Sequence, residues 1–373
     1  MKRLGRMVLM VILTVNLLFT GLYLWVAYSP YIQPTDHPVL ACLGLTFPIF
    51  LFIEVAFLLF WLLIQQYRAA LIALVGLLLG YGPLRTYLPL HLSNDEAPEG
   101  SFRLLSYNIM GFDGCKRVDG HNTILDYLAQ SDADILCLQE YVVWNRPLLT
   151  QNDVDRALTP RYPHHHICLV SDREGYGNKI AVYSKFPILS GRSITFKGST
   201  NGAALFELEV RGDTLTLIGC HLESNKLTAE DKAIYKEMLK DPEKEKVKSG
   251  MRLLVNKLAD ANALRAPQAD TIAAKVAAHR HRPLIVCGDF NDSPISYAHR
   301  VISQGLDDAF VESGNGFGIT YNRNHFYFRI DHILTSSHLQ SYRCSVDRHF
   351  KASDHYPISC WLKFKQPRNK EKK

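Results

Sequence analysis

The fold class of this 373-residue chain follows from one stretch, Leu284–Asp292, which reads LIVCGDFND. Its four apolar residues predict a buried strand, and the glycine and polar residues after them predict a turn at the strand's end. Asp289 and Asn291 are two positions apart, so an extended backbone points both side chains to the same side. Because ligands bind at the strand ends of an α/β sheet, this pair indicates a site there.

Short β-prone runs, most of them bounded by turn residues, recur along the chain after residue 100. They are Phe102–Tyr107, Asp134–Leu138, Lys179–Tyr183, Ala203–Val210, Thr214–Cys220, Pro283–Cys287, Arg329–Leu334 and Tyr356–Leu362. The stretches with helical periodicity between them are His121–Gln130, Thr228–Leu239, Val247–Ala261 and Ala266–His279. This alternation predicts an α/β fold in one domain, for which we expect the bounds 101–365 after a polar linker at 91–100.

Polar side chains flank five further strand-like runs. They are Asn108, the pair Gln139-Glu140, His221, the pair Asp331-His332 and the triplet Ser353-Asp354-His355. A single Asp or Asn at a strand end is most often an ordinary turn residue or helix cap. Six such ends in one chain instead indicate one site built from carboxylate, amide and imidazole groups.

The order of these strings resembles the endonuclease/exonuclease/phosphatase superfamily over about Ser101–Lys365. Its most specific strings here are Gly-Asp-Phe-Asn at 288–291 and Ser-Asp-His-Tyr-Pro at 353–357. The superfamily includes deoxyribonuclease-like nucleases, abasic-site endonucleases, neutral sphingomyelinases and inositol-polyphosphate phosphatases. The resemblance implies a four-layered α/β sandwich, in which two mixed β-sheets pack face to face with helices outside and the site lies at one edge.

Hydrolysis of a phosphoester requires neutralised phosphoryl oxygens, an activated water and help for the leaving group. A hard divalent cation suits oxygen ligands, so we expect Mg²⁺ or Mn²⁺. Glu140 is the first choice of ligand and Asn108 is expected to assist it. By resemblance, Asp354 lies near the metal.

The remaining residues of the pattern are assigned to catalysis. Asp289 and Asn291 are expected to divide two tasks, positioning water and holding a phosphate oxygen. His355 is expected to face the phosphate, charged or as a general acid/base, and to be oriented by Asp331. His221 is expected to donate to a non-bridging oxygen.

Weaker signals lie outside this pattern. Arg265 and Gln268 resemble an R-x-x-Q pattern of the superfamily, although a surface helix would also contain them. The tract His164–His166 is expected at the surface, because alternate strand residues face opposite ways. Tyr321-Asn322 and Phe326–Phe328 are equally consistent with a substrate wall and with aromatic core.

Two positions depart from the abasic-site branch. That branch usually has Asn-Ala where this chain has His221-Leu222, and an acidic residue where this chain has Met110. DNA repair is therefore disfavoured, and the histidine pattern is more similar to the deoxyribonuclease and sphingomyelinase branches.

Residues 1–90 have a different composition, with seven charged residues against 71 in the other 283. Three nearly uncharged runs there, at 7–28, 39–64 and 69–84, predict an all-α transmembrane anchor. Glu54 is the single charge within them, and we expect it to be protonated or hydrogen-bonded between packed helices rather than functional. A cleaved signal peptide is the alternative for the first run, which is too long and lacks an A-x-A site.

Basic residues predict the orientation of this anchor. Lys2, Arg3 and Arg6 precede the first run, so we expect a cytoplasmic N-terminus. Three spans place the catalytic domain outside the cytoplasm, whereas two leave it inside. We expect three, because the third run would otherwise lie exposed to water.

The net charge of +6 does not indicate a nucleic-acid-binding surface. The basic tail, assigned to 366–373, and the N-terminal basic residues account for the surplus. Between residue 90 and Lys363 the chain has 31 basic and 33 acidic residues, a charge of −2. The eight cysteines form no C-x-x-C pair, so a structural zinc site is not predicted.

The sequence predicts a membrane-anchored, divalent-metal-dependent phosphoesterase that cleaves a phosphodiester by direct attack of water, as nucleases do. The alternative is a phospholipid- or sphingomyelin-type phosphodiesterase, or a phosphomonoesterase, at the membrane surface. A catalytically inactive binding module is a remote third possibility. The expected partners are a phosphate ester (nucleic acid, phospholipid or sugar phosphate) and the lipid bilayer, and no protein partner is indicated.

Overall fold

The computed structural model describes residues 2–92, 95–144, 148–171, 177–228, 245–323 and 327–365, with positions 230, 231, 233 and 237. Most of the predicted helix Thr228–Leu239, the basic tail 366–373 and Phe326 lie outside the described residues. At the start of that helix, Thr228 and Asp231 form reciprocal side chain-to-backbone hydrogen bonds, as expected of a capping box.

Two six-stranded sheets form the centre of the molecule. The strands are β1 (Phe102–Asn108), β2 (Ile135–Gln139), β3 (His164–Leu169), β4 (Lys179–Ser184), β5 (Ile188–Thr195), β6 (Gly202–Val210), β7 (Asp213–His221), β8 (Leu284–Asp289), β9 (Leu306–Asp308), β10 (Asp331–Ser336), β11 (Leu339–Val346) and β12 (Ile358–Phe364). The sheet orders are β11-β12-β1-β2-β4-β3 and β5-β6-β7-β8-β10-β9. Each sheet contains one parallel pair, β1 with β2 and β7 with β8, which confirms two mixed sheets.

The two sheets pack face to face through one apolar core. Alternate residues of the central strands fill it, among them Leu104, Cys137, Phe206 and Ile285. Each sheet also packs against its outer helices through a further apolar cluster, one for each sheet. The predicted four-layered sandwich is therefore confirmed.

The helices follow in chain order. They are α1 (Lys2–Ala27), α2 (Pro38–Ala41), α3 (Phe47–Leu63), α4 (Tyr67–Leu79), α5 (Tyr81–Tyr87), α6 (Met110–Gly114), α7 (Thr123–Gln130), α8 (Gln151–Leu158), α9 (Glu245–His279), α10 (Tyr297–Ile302) and α11 (Ala309–Ser313). The short segment α6 is a left-handed turn, since its residues have positive φ.

One helix differs from the sequence prediction. The stretches Val247–Ala261 and Ala266–His279 form the single helix α9, with Pro267 inside it. Proline removes one helical hydrogen bond. The helix continues because Ala266 and Ala269 lie in the buried contact with the second sheet.

The apolar N-terminal segment, residues 2–90, contains two helices long and apolar enough to cross a membrane, Leu4–Ala27 and Pro38–Leu63. The pair α4 and α5, bent by 63°, makes a third if it is counted as one span. Glu54 is buried and accepts a 2.8 Å hydrogen bond from Thr20. It is thus hydrogen-bonded between packed helices, as expected, whereas orientation and span number remain predictions.

Candidate functional site

The predicted residues reach one edge of the sandwich because of strand direction. Parallel pairing sets Asn108 beside Gln139 at the end of the first sheet. In the second sheet, Asp289 pairs with His221 on the parallel side and with Asp331 on the antiparallel side. Both sheets therefore end in polar side chains at the same edge.

Asn108 joins the two sheets at this edge. Its Nδ2 donates to Glu140 Oε1 at 3.0 Å and to Asp289 Oδ2 at 3.1 Å. Its Oδ1 accepts from the backbone N–H of Met110 at 3.1 Å. One buried amide thus fixes a carboxylate from each sheet.

Glu140 differs from the other carboxylates in its exposure. About a third of its side chain, 33%, is accessible, against 1% for Asp289. Its φ of 52° turns the chain sharply at the end of β2. Glu140 is therefore the carboxylate of the cluster that solvent reaches.

His355 lies between two carboxylates. Its Nδ1 donates to Asp331 Oδ2 at 2.8 Å, and its Nε2 lies 3.6 Å from Asp289 Oδ2. Burial alone would lower the pKa of His355, but Asp331 and Asp289 together raise it well above its usual value. The two carboxylates therefore favour the charged form of the ring.

The two carboxylates shift in opposite directions. Burial raises the pKa of Asp289, and the nearby His355 only partly offsets this. Burial acts on Asp331 in the same sense, yet the attraction of His355 and a hydrogen bond to it hold the pKa of Asp331 below its usual value. Asp331 thus favours its ionised form as counter-ion to His355, and Asp289 is the more basic group.

His221 completes the cluster from β7. Its Nε2 lies 3.6 Å from Glu140 Oε1 and 3.6 Å from Asp289 Oδ2. Asn201 Nδ2 lies 3.2 Å from the same nitrogen and also donates to the carbonyl of Leu222 at 2.9 Å. The ring is therefore fixed toward the carboxylates.

Asn291 holds the turn after β8. Its backbone N–H donates to Asp289 Oδ1 at 2.8 Å, and its Nδ2 donates to the carbonyl of Leu222 at 3.0 Å. Its φ of 54° lies in the left-handed region that asparagine tolerates better than most residues. Asn291 thus orients Asp289 and ties it to the segment after His221.

Asp354 is the predicted residue with the fewest contacts to this cluster. Ser353, beside it, donates to the carbonyl of Asn108 at 2.9 Å and accepts from the backbone N–H of His355. The backbone oxygen of Asp354 accepts from Asn322. Among the described residues, no hydrogen bond joins the Asp354 side chain to Glu140 or Asn108.

Residues 105–355, two thirds of the chain, match the model of the endonuclease/exonuclease/phosphatase family. The chain belongs to the endonuclease/exonuclease/phosphatase family. Residues 9–87 match a second model, described as a domain of unknown function. No curated protein sequence matches the chain.

Solved structures with the same fold come from several organisms. An endonuclease/exonuclease/phosphatase protein from Beutenbergia cavernae has a TM-score of 0.50 and 17% identity, covering 71% of this chain and 72% of that one. The human Nocturnin catalytic domain with bound sulfate has a TM-score of 0.49 and 20% identity, and the match covers 73% of this chain and 96% of that one. A beta toxin mutant from Staphylococcus aureus with bound magnesium ions has a TM-score of 0.46 and 16% identity, and the match covers 70% of this chain and 99% of that one.

Members of this family are divalent-metal-dependent phosphoester hydrolases, and the donor set at this edge fits such a cation. Glu140 offers a carboxylate open to solvent. The Asn108 amide contacts it through Nδ2, so its oxygen would face a cation there only with the amide turned over. Mg²⁺ prefers oxygen ligands and keeps several waters, for which a partly exposed carboxylate leaves room.

Two buried clusters of His and Asp could also be considered for a metal. In the first, His355 already forms the hydrogen-bonded ion pair with Asp331, and Asp289 lies 3.6 Å from the same ring. In the second, His299 and Asp308 are hydrogen-bonded at 3.0 Å. Burial alone would raise the pKa of Asp308, but the charge of Arg329 and the bond to His299 hold it below its usual value. A buried cation already compensates that carboxylate, so we interpret the second cluster as core.

Two residues of the weaker R-x-x-Q signal lie in the buried polar network beside the site. Arg265 and Gln268 are buried rather than on a helix surface, and Gln268 accepts from the backbone N–H of Glu223 at 2.7 Å. The surface interpretation of the R-x-x-Q pattern is therefore wrong. The signal that favoured the family interpretation was its spacing in the helix before Gly-Asp-Phe-Asn.

Two other residues that contact the site were not predicted from the sequence. Asn201 contacts His221, and Thr320 accepts from the backbone N–H of Asp331 at 3.1 Å. Asn201 precedes β6, whose antiparallel pairing with β7 sets Gly202 opposite His221. That pairing was the available signal for Asn201, whereas no local pattern marks Thr320.

Of the weaker sequence signals, the aromatic residues before Asp331 reach the site and the histidine tract does not. Tyr321 packs edge-on against the ring of His355, with centroids 5.2 Å apart, so it lines the site. In the tract His164–His166, His165 stacks on Tyr183 and His166 contacts Phe206 between the sheets. These two histidines face opposite ways and do not form a metal tract.

Proposed function

We propose that this protein is a metal-dependent phosphodiesterase in which water attacks phosphorus directly. The observation that carries the proposal is the convergence on Asp289 Oδ2 of Asn108 at 3.1 Å, and of His221 and His355 at 3.6 Å each. A carboxylate with two imidazoles and an amide around it, next to the exposed Glu140, provides a base and donors for phosphoryl oxygens.

Asp289 is the proposed base. Its Oδ1 accepts the backbone N–H of Asn291, which leaves Oδ2 facing the cluster. Because burial raises its pKa, the carboxylate has more affinity for a proton than an exposed aspartate. Asp289 is suited to orient a water molecule and take its proton.

His355 and His221 are the proposed phosphate-binding groups. His355 is held charged by Asp331, so its Nε2–H is available to an oxygen that gains charge in the transition state. His221 faces the same space from β7. A cation on Glu140 and Asn108 would add Lewis-acid stabilisation of the same phosphoryl group.

Substitution of the full-length protein tests these roles. We expect Asp289→Asn and His355→Gln each to lower kcat by about 10²–10⁴-fold toward a soluble phosphodiester reporter, because each removes a proton-transfer or charge-stabilising group. His166→Gln, in the distant strand β3, is the matched control and should leave kcat unchanged. Turnover near the wild-type rate by either site variant would refute the assignment.

A membrane phospholipid is the second candidate for the substrate, beside nucleic acid. The observation that favours it is Ile295, six residues after Asp289, which is buried in a cluster with Tyr23, Val26 and Phe47 of the apolar segment. An active site so close to helices long enough to span a bilayer lies near lipid headgroups.

An assay of the full-length protein in vesicles, with phospholipid and with plasmid DNA as substrates, distinguishes the two candidate functions. We expect Mg²⁺-dependent release of a phosphorylated headgroup from vesicle phospholipid at a higher kcat/KM than the cleavage of plasmid DNA. Cleavage of DNA alone would assign the enzyme to the nuclease branch.

We also propose three membrane crossings. The 3₁₀ turn after α1 and the segment after α5 both contact the α/β domain, through Arg300 with Pro30 and through His91 with Asn315. Once the two long apolar helices both cross the membrane, these two points lie on one side only if α4 and α5 make a third crossing. A reporter enzyme fused after Lys373 should be active only outside the cytoplasm, and cytoplasmic activity would contradict this topology.

A further inference from the structure

The loop that carries the proposed base is covered by the apolar segment. We call residues 289–296 the catalytic loop and residues 29–46 the docking segment. Every residue from Asp289 to His299 is buried, although this stretch joins β8 to a helix on the outside of the sheet. A connection at the outside of a domain normally has exposed residues, so something must cover this one.

Backbone contact shows how closely the docking segment covers the loop. A Cβ added at Gly44 would lie 1.8 Å from the carbonyl oxygen of Ile295 and 3.0 Å from its carbonyl carbon. No side chain fits in that distance, so only glycine allows this approach without movement of the loop. The Ile295 side chain is 3% exposed.

Hydrogen bonds extend this contact toward the site. Asn262 donates to Cys42 Sγ at 3.5 Å, and its Oδ1 accepts from Arg265 Nη1 at 3.0 Å. The same Nη1 donates to Asp292 in the catalytic loop at 2.9 Å. Arg265 Nη2 donates to Asn225, which lies 3.5 Å from the carbonyl of Asn291.

A second contact lies just beyond the loop, on α10. Arg300 Nε donates to the carbonyl of Pro30 at 2.8 Å, and its guanidinium lies 4.8 Å from the ring centroid of Tyr31. The docking segment therefore holds the chain on both sides of Ile295.

We propose that the docking segment is a positioning part of the active site, which holds the catalytic loop so that Asp289 and Asn291 keep their reactive geometry. The inference rests on the proposed function of those residues. It assigns Gly44 and Ile295 as positioning residues, since neither touches the reacting groups. The apolar segment then has a role in turnover as well as in attachment to a membrane.

Gly44→Ala in the full-length protein tests this directly. The new Cβ must displace the Ile295 carbonyl, and a displacement near 1 Å at a reacting group costs on the order of 10²-fold in rate. We expect a kcat reduced about 10²-fold for a small soluble phosphodiester, with KM within about twofold. Gly21→Ala is the matched control, because nothing lies within 4 Å of its added Cβ.

A purely structural role would lower the midpoint of thermal unfolding without this split between kcat and KM. Ile295→Ala provides a second test should Gly44→Ala not fold, and it should lose kcat while the conservative Ile295→Val retains it. Wild-type kcat in Gly44→Ala and Ile295→Ala, with the wild type active, would overturn the inference and leave the proposed function intact. An inactive wild-type protein would overturn the proposed function itself.

Discussion

Asp331 and Asp289 show how two identical side chains acquire different tasks. Both are 1% exposed and both face His355, yet the short hydrogen bond from Nδ1 goes to Asp331. The partner with the hydrogen bond remains ionised and the other becomes the stronger base. Environment rather than residue type therefore separates counter-ion from base.

The pH dependence of turnover tests this pair. Asp331→Asn removes the negative charge that raises the pKa of His355, so His355 should lose its proton at a lower pH. We expect the alkaline limb of the kcat–pH profile to move to lower pH and kcat to fall. Asp347→Asn, on the loop after β11, should keep the wild-type profile, and an unmoved limb in Asp331→Asn would contradict the pairing.

His332, next to Asp331, faces the opposite side of β10 and is buried as a neutral ring. Burial, followed by the charge of His299, lowers its pKa from 6.5 to about 3. Between these values the unfolded chain binds a proton that the native ring does not, so stability falls as pH drops below about 6.5. The loss amounts to about 2 kcal/mol at pH 5.

Thermal unfolding from pH 7.5 to 5 measures this contribution. His332→Gln has no titrating ring, so its unfolding midpoint should fall less steeply with acid than that of the wild-type protein. Equal slopes would mean that His332 is protonated in the native state.

At the scale of elements, the four strands absent from the sequence prediction are the four sheet edges, β3, β5, β9 and β11. An edge strand is buried on fewer sides, so its residues show weaker apolar patterning than those of a central strand. The burial of β5 alternates irregularly between half-buried and exposed, whereas every residue of β8 is buried. Central strands were therefore predictable and edge strands were not.

The candidate site was predictable for a related reason. Its residues end central strands, where short strings such as Gly-Asp-Phe-Asn are local in sequence. Asn201 reaches His221 through the pairing of β6 with β7, and Thr320 reaches Asp331 from eleven residues upstream, so neither belongs to a local string of the site. Local sequence patterns therefore predicted the residues at the centre of the cluster. The residues that hold them in place depend on tertiary contacts and were not predicted.

Helix α9 contributes Arg265, whose three nitrogens donate to Glu223, Asn225, Asn262 and Asp292. Lysine has one nitrogen and cannot reproduce this fork. We expect Arg265→Lys to lower the free energy of unfolding by about 2 kcal/mol, since hydrogen bonds to a buried charge are lost. Arg252→Lys, at an exposed position of the same helix, is the control, and equal stability of both variants would contradict the network.

At the scale of the whole molecule, the two parts of the chain share one structure. The apolar segment buries Ile295 of the family domain in its own cluster, and Arg329, two residues before Asp331, donates to the carbonyl of Thr86. Asp289 and Asp331 are thus each within a few residues of a contact with helices that can enter a bilayer. Composition divides the chain into an apolar segment and a family domain, whereas in the structure the two parts pack against each other through these contacts.

The charge of the molecule agrees with this arrangement. The surplus of +6 lies in the N-terminal residues and the tail, and the family domain between them is nearly neutral. A nearly neutral domain gives little long-range attraction to DNA, whose binding depends on many cationic contacts. With the membrane attachment proposed above, proximity to lipid would favour a phospholipid over DNA as the phosphate ester that reaches the site.

Metal titration of the full-length protein tests the central claim most directly. With a soluble phosphodiester reporter, we expect no turnover after chelation, recovery on addition of Mg²⁺, and a higher Mg²⁺ concentration for half-maximal rate in Glu140→Gln. The matched variant Glu312→Gln, whose carboxylate pairs with Arg85 away from the site, should respond as the wild-type protein does. Undiminished hydrolysis in excess chelator, or none at any Mg²⁺ concentration, would contradict the account.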